Sequence, residues 1–352
     1  MDVVEFIDAV EQLEKEKGIP KELLFGAVEA ALVSAYKKNF SSLQNVRVEL
    51  NQKTGKIKVL SQKEVVENVE NPLEEIALRD ALKISPVYAI GDLAEIEVTP
   101  KNFGRIAAQA AKQVVIQKIR EAERDKIFEE FSNRESEVVT GIVQNTEQGN
   151  VFVDIGKTEA ILPPSEQLAG ESYEPQTRIK VYVLEVKNSP KGPQVFVSRT
   201  HPGLIKRLFE GEVPEIYDGT VEIKAVSREA GQRSKIAVWS DNADVDPVGA
   251  CVGPRGMRVQ AIVSELNGEK IDIVRWSADP NVFVANALSP AKVTEVVADE
   301  VQRIANIVVP DTQLSLAIGK EGQNARLAAK LTSWKIDIKS ESQSLGGDAD
   351  ES

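Results

Sequence analysis

The chain has 352 residues, 42% of them hydrophobic, with a formal charge of −12, one histidine and one cysteine. That length suits two to four domains with real apolar cores, and a single cysteine excludes an internal disulfide or a Cys-rich zinc site, which points to a reducing, cytoplasmic home. The start, Met1-Asp2-Val3-Val4-Glu5, lacks the pattern of an export signal, and no apolar run approaches the roughly 18 residues of a membrane helix.

The charge balance is −4 over residues 1–130, −2 over 131–200, −2 over 201–340 and −4 over 341–352. No stretch is basic overall, so bulk capture of a polyanion is weak. Any nucleic-acid contact must come from locally placed cations and backbone amides.

In chain order, Glu22 to Phe40 predicts an amphipathic helix, with Leu23, Leu24, Ala27, Ala30, Ala31 and Ala35 near helical spacing. Strands over 46–50 and 57–60 flank a Thr54-Gly55 turn. A long helix is expected from about Arg105 to Phe131, where no Gly or Pro interrupts a run rich in helix formers. Short strands then follow over 138–143, 150–156, 179–186 and 194–199, the spacing of a small closed barrel.

The last two blocks repeat each other. Cys251-Val252-Gly253-Pro254-Arg255-Gly256 opens a helical pattern that ends in Lys270-Ile271-Asp272-Ile273. Ala317-Ile318-Gly319-Lys320-Glu321-Gly322 opens another, ending in Lys335-Ile336-Asp337-Ile338. Two strand signals precede each glycine pair, so the order strand–strand–helix–glycine loop–helix–strand occurs twice. In such a Gly-x-x-Gly loop the glycines allow positive φ, and bare amides at the next helix start can meet a phosphate. Arg255 in the first loop and Lys320 in the second can add charge, whereas Glu321 opposes it. This is the chemistry of a KH domain, which clamps single-stranded RNA by its backbone. A lone Gly-x-x-Gly is often only a helix–helix turn; two in matched contexts carry more weight.

Catalytic chemistry finds little support. His201 is alone, Asp241, Asp244 and Asp246 read as a turn and helix cap, Cys251 as a small core residue, and Glu74-Glu75 as a solvated face. Gly319-Lys320 is followed by Glu321, not the Ser or Thr of a phosphate-binding loop. No cofactor and no metal are expected. An RNA-processing enzyme or a ribosomal RNA-binding module remain alternatives; the first lacks room for a catalytic domain.

Longer motifs then carry a resemblance. Thr200-His201-Pro202 through Glu212-Val213-Pro214-Glu215-Ile216, Asp246 to Gly253, Gln313 to Lys320, and Gly104 to Arg124 are similar to segments of the NusA family, over nearly the whole chain. The resemblance implies a multidomain α+β protein: an α/β N-terminal domain on RNA polymerase (1–131), a β-barrel of the OB fold with an S1 motif (134–200) and two tandem type II KH domains (201–277 and 278–340). The acidic tail (341–352), polar with a single Leu345, is expected from its composition to be disordered. The resemblance also implies a monomeric, bacterial, cytoplasmic transcription factor that binds the polymerase core near the RNA exit channel and nascent single-stranded RNA. Pausing, intrinsic termination and antitermination are the processes it implies, with other Nus-type factors as further partners. It places Gly253, Pro254, Arg255, Gly256, Arg258, Gly319, Lys320, Glu321 and Gly322 on RNA, with Lys37, Arg105 and Lys112 beside the exit channel and Phe152 stacking a base. For Phe152 a strand-core role, and for the three cations a solvated helix face, are the plainer alternatives.

Overall fold

The computed structural model describes residues 10, 12, 14, 15, 18–40, 45–51, 54–190 and 192–347. It divides into two compact units, 1–126 and 127–352.

In the first unit, helix α1 (Lys21–Phe40) buries Leu24, Val28, Leu32 and Tyr36, one residue every turn. Strands β1 (Val46–Leu50), β2 (Ile57–Val66), β3 (Glu75–Ala77) and β4 (Leu93–Glu97) form one sheet, with α2 (Leu78–Ile84) following β3. Strand β2 is central, antiparallel to β1 and β4 and parallel to β3. Helix α3 (Phe103–Ser132) buries Phe103, Ala107, Ala111 and Val115 at four-residue steps against α1, Val48 and Val59. A smaller core of Val65, Ala81 and Ala94 lies under the far end of the sheet.

The second unit begins with the last turn of α3, where Phe131 enters the barrel core. The barrel is β5 (Val138–Glu147), β6 (Asn150–Asp154), β7 (Glu159–Leu162), β8 (Arg178–Ser189) and β9 (Gly192–Ser198), closed in the order β5-β6-β7-β9-β8. Strict alternation buries Val151 and Val153 and turns Phe152 outward.

Then come α4 (Pro202–Glu212), α5 (Pro214–Tyr217), β10 (Glu222–Glu229), β11 (Arg233–Trp239), α6 (Pro247–Val252), α7 (Met257–Glu265) and β12 (Lys270–Arg275). The second copy is α8 (Pro280–Ala287), β13 (Glu295–Asp299), β14 (Ile304–Val309), α9 (Leu314–Ile318), α10 (Gln323–Thr332) and β15 (Lys335–Ser340). In each three-stranded sheet the first pair is antiparallel and the second parallel. This α–β–β–α–α–β order is the type II arrangement.

The two copies are fused. Ala237 and Val274 of the first sheet share a core with Phe283, Val284 and Ala287 of α8. Lys235, fully buried, donates to Asp272 at 2.9 Å and to the Ser289 carbonyl at 2.6 Å. Arg326 and Gln323 of α10 reach back to Glu229.

The tail departs from expectation. Residues Glu341–Gly347 form a helix, α11, rather than disordered chain. Ser340 and Gln343 cap its start reciprocally, the Ser340 amide donating to Gln343 Oε1 and the Gln343 amide to Ser340 Oγ. Ser342 Oγ donates to Asp311 at 2.6 Å. Residues 348–352 lie outside the described residues.

Candidate nucleic-acid interface

The two glycine loops have the same backbone. Gly253, Arg255 and Gly256 have φ of 72°, 54° and 76°. Gly319, Glu321 and Gly322 have φ of 76°, 54° and 73°. Holding a non-glycine residue left-handed costs roughly 1–2 kcal/mol, and both repeats hold one at the same point. The first glycine of each loop is also crowded: a Cβ would lie 2.6 Å from Arg258 Cγ at Gly253, and 2.8 Å from the Asn324 amide nitrogen at Gly319.

Part of each loop is already closed. The Gly256 and Gly322 amides donate to the Gly253 and Gly319 carbonyls at 3.1 Å. The amides of Met257 and Gln323 donate to Pro254 and Lys320. The Arg255 and Glu321 amides take no part in these turn bonds, so fewer main-chain donors are on offer than the glycine pattern suggests.

The side chains divide. Pro254, Arg255, Lys320 and Glu321 are exposed, and Arg255 and Lys320 form no ion pair with any described residue. Arg258 is committed inside the domain, donating to the Ala250 carbonyl at 2.6 Å and to Glu215 at 2.9 Å. It shapes the loop rather than facing outward. Beside the second loop is a hollow of about 500 Å³ that also takes in Arg233 and Lys270 of the first copy. Sequence reading missed both, because only the fusion of the copies brings them to Gly319 and Lys320.

On the barrel, Phe152 is half-buried on the outer face, not in the core. Strand register sets Asn145, Phe152, Ile161 and Phe196 in one row across β5, β6, β7 and β9. Lys187 Nζ lies 5.0 Å from the Phe196 ring centre. Phe196 and Lys187 were not foreseen; the alternation of Val195 and Val197 about Phe196 was the available signal.

In the first unit Lys37, Arg105 and Lys112 are all exposed. Tyr36 meets Phe103 edge-on with ring centres 5.8 Å apart, which brings the end of α1, with Lys37, to the start of α3, with Arg105. Lys112 lies two turns further along α3.

Three of the residues given no chemical reading, His201, Asp246 and Cys251, have structural places. His201 caps α4 by accepting from the Gly203 amide and stacks on Tyr182, ring centres 4.5 Å apart. Asp246 caps α6, and the Arg275 guanidinium beside it holds its carboxyl below the usual range. Burial pushes the Cys251 thiol up to about 12. Among the described residues no group of three or more His, Cys, Asp or Glu could hold a metal ion, and no helix is long and apolar enough to cross a membrane.

Comparison with known families matches the NusA N-terminal domain over residues 5–125, the S1 RNA binding domain over 133–197, and the NusA-like first and second KH domains over 199–276 and 280–345. The transcription termination/antitermination protein NusA of Bacillus subtilis is 63% identical, covering 96% of this chain and 91% of its own. That of Halalkalibacterium halodurans is 62% identical over 96% and 89%, and that of Thermus thermophilus 44% over 94% and 89%. With that identity along nearly its whole length and the four family domains matched one after another, the chain belongs to the NusA family of transcription termination/antitermination proteins.

Proposed function

We propose that this chain is a non-catalytic transcription factor that contacts RNA polymerase through residues 1–131, near the RNA exit, and grips nascent single-stranded RNA with its KH loops. In this reading it modulates pausing, intrinsic termination and antitermination. The observation that carries it is the pair of loops with one backbone conformation, each offering an exposed cation. A loop that merely turned a corner would not need a left-handed Arg255 and a left-handed Glu321 at the same step; such strain is retained where it preorganises a site.

RNA is then held in three places. The loops take phosphates, using Arg255 in the first copy and Lys320, helped by Lys270, in the second. The Phe152–Phe196 row on the barrel offers ring faces to bases, a sequence-tolerant contact suited to an emerging transcript. Lys37, Arg105 and Lys112 provide a small basic patch on the N-terminal domain. Because the chain is acidic overall, these local cations set both affinity and salt dependence.

The test replaces Pro254 and Arg255, and Lys320 and Glu321, with Asp. Single-stranded RNA binding is expected to be lost while polymerase pull-down and the unfolding midpoint stay unchanged. Unaltered RNA affinity would refute the role of the loops. Loss of polymerase binding instead would refute the division of labour between the units.

A further inference from the structure

The second glycine loop is held from behind by the first copy. Arg326, in the first turn of α10, donates from Nε to Glu229 at 2.6 Å and from Nη1 to the Glu321 carbonyl at 3.1 Å. One rigid, planar guanidinium thus joins the end of β10 in the first copy to the left-handed residue of the second loop. Gln323 adds a further link. Its Nε2 donates to the other Glu229 oxygen at 2.8 Å and to Gln232 Oε1 at 3.0 Å.

The anchor is itself fixed. Glu229 pairs with Arg233 across the β10–β11 turn, and the Gln232 amide donates to the Glu229 carbonyl at 3.0 Å. Its neighbour Arg228 is locked in the enclosed pair with Glu269. The Glu229 side chain is only 17% exposed, and the Arg326 guanidinium beside it holds its carboxyl below the usual range.

The first loop is built differently. Counted from the leading glycine of each loop, Gln323 and Arg326 correspond to Met257 and Gln260. Met257, 63% exposed, carries no donor, and the exposed Gln260 has no hydrogen-bond partner among the described residues. Backbone strain persists where the surroundings over-determine it. At Glu321 those surroundings include a charged side chain anchored in the other copy.

We propose that Glu229 and Arg326 are positioning residues for RNA at the second loop: Glu229 holds Arg326, and Arg326 holds the Glu321 peptide in the conformation that receives a phosphate. The inference rests on the loops being the RNA grip. Neither side chain touches the RNA. The first copy preorganises the second loop, which offsets the unfavourable Glu321 carboxylate.

The test measures the affinity of the full chain for a short single-stranded RNA across a range of salt. Arg326→Met should weaken binding about fivefold with the salt slope unchanged, because no phosphate contact is lost. Glu229→Gln removes a negative charge, which by itself favours a polyanion, yet it should also weaken binding. Since Glu229 acts through Arg326, the double variant should lose no more than Arg326→Met alone. In the RNA-free protein both single variants should shift the Glu321 and Gly322 amide signals and leave those of Arg255 and Gly256 in place. The proposal is overturned by unchanged affinity in either variant, by losses that add in the double variant, or by tighter binding of Glu229→Gln. A salt slope lowered by about one in Arg326→Met also overturns it, since Arg326 would then be a direct phosphate ligand. Failure of the loop reading shows separately, as unaltered affinity when Lys320 and Glu321 are replaced by Asp, whatever the result at Glu229.

Discussion

Arg258 and Asn324 occupy the same place in the two repeats, and each ties its glycine loop to the end of the helix before it. Position 258 follows Gly253, and position 324 follows Gly319, by the same five-residue step. Arg258 donates to the Ala250 carbonyl at 2.6 Å; Asn324 Nδ2 donates to Leu316 and Ala317 at 3.3 and 3.1 Å, and also to Leu288 at 2.9 Å. A long charged side chain and a short neutral one thus both meet the carbonyl at the equivalent position, Ala250 or Leu316, near the helix end. Asn324 is buried, so Asn324→Ala strands several acceptors at once and should destabilise the second KH domain by about 2 kcal/mol. Denaturant unfolding measures this; a change below about 0.5 kcal/mol, the range of ordinary surface substitutions, would show that the carbonyls find other donors.

The two leading glycines differ in what blocks a side chain. At Gly253 the obstacle is the aliphatic stem of Arg258; at Gly319 it is the Asn324 backbone nitrogen together with its Cβ, both at 2.8 Å. A flexible stem can swing aside and a backbone cannot. Gly319→Ala should therefore cost more stability than Gly253→Ala, beyond the roughly 1–2 kcal/mol that left-handed backbone imposes on either. Equal losses in thermal unfolding would mean that conformation alone sets the requirement.

Arg228 and Glu269 are a fully enclosed ion pair, Nη2 to Oε2 at 2.8 Å, with side-chain exposures of 1% and 0%. Glu269 also accepts from Ser234 Oγ and the Gly231 amide, and Arg228 donates to the His201 carbonyl. Glu269→Ala leaves a buried guanidinium uncompensated and should cost about 3–5 kcal/mol. Replacing both residues by apolar side chains of similar size should cost less than that single change. Calorimetry on the single and double variants decides the order, and a more damaging double variant would contradict it.

Asp272 gives the junction of the KH copies a pH dependence. Burial raises its carboxyl, but the hydrogen bonds and charges of Arg233 and Lys235 outweigh burial and hold it below the usual range. A depressed carboxyl contributes stability that is present above the unfolded value, about 4, and is lost as pH falls through the folded one. Acid unfolding of the wild-type chain should show a steeper loss below about pH 4 than Asp272→Asn. Parallel acid limbs for the two proteins would remove Asp272 from the account.

Phe152→Ala and Phe196→Ala should each weaken single-stranded RNA by about 1–3 kcal/mol per stacked base, with little effect on the barrel's stability because both rings are half outside. If only stability changed and RNA affinity did not, the row would be packing rather than a platform.

Much of this was legible in the sequence, for identifiable reasons. The glycine pairs declared the repeat because Gly253, Gly256, Gly319 and Gly322 all adopt positive φ, where other residues are strained. The long helix followed from an uninterrupted run of helix formers. Strand β7 escaped notice because Glu159–Leu162 is only four residues long and pairs with β6 and β9, the latter distant in sequence. Helix α11 was masked by a polar composition, although Ser340 and Gln343 have the spacing of a capping box. The inward commitment of Arg258, and the approach of Lys270 to the second loop, depend on tertiary neighbours that no local pattern encodes.

The central claim is that the two loops hold RNA through their main chain. Backbone amide shifts of the intact protein, followed by NMR during titration with a short single-stranded RNA, test it most directly. The account predicts the largest perturbations at the amides of Arg255 and Glu321, which take no part in the turn bonds, saturating together. Those amides staying in place while signals elsewhere in the chain move with the same saturation would contradict it.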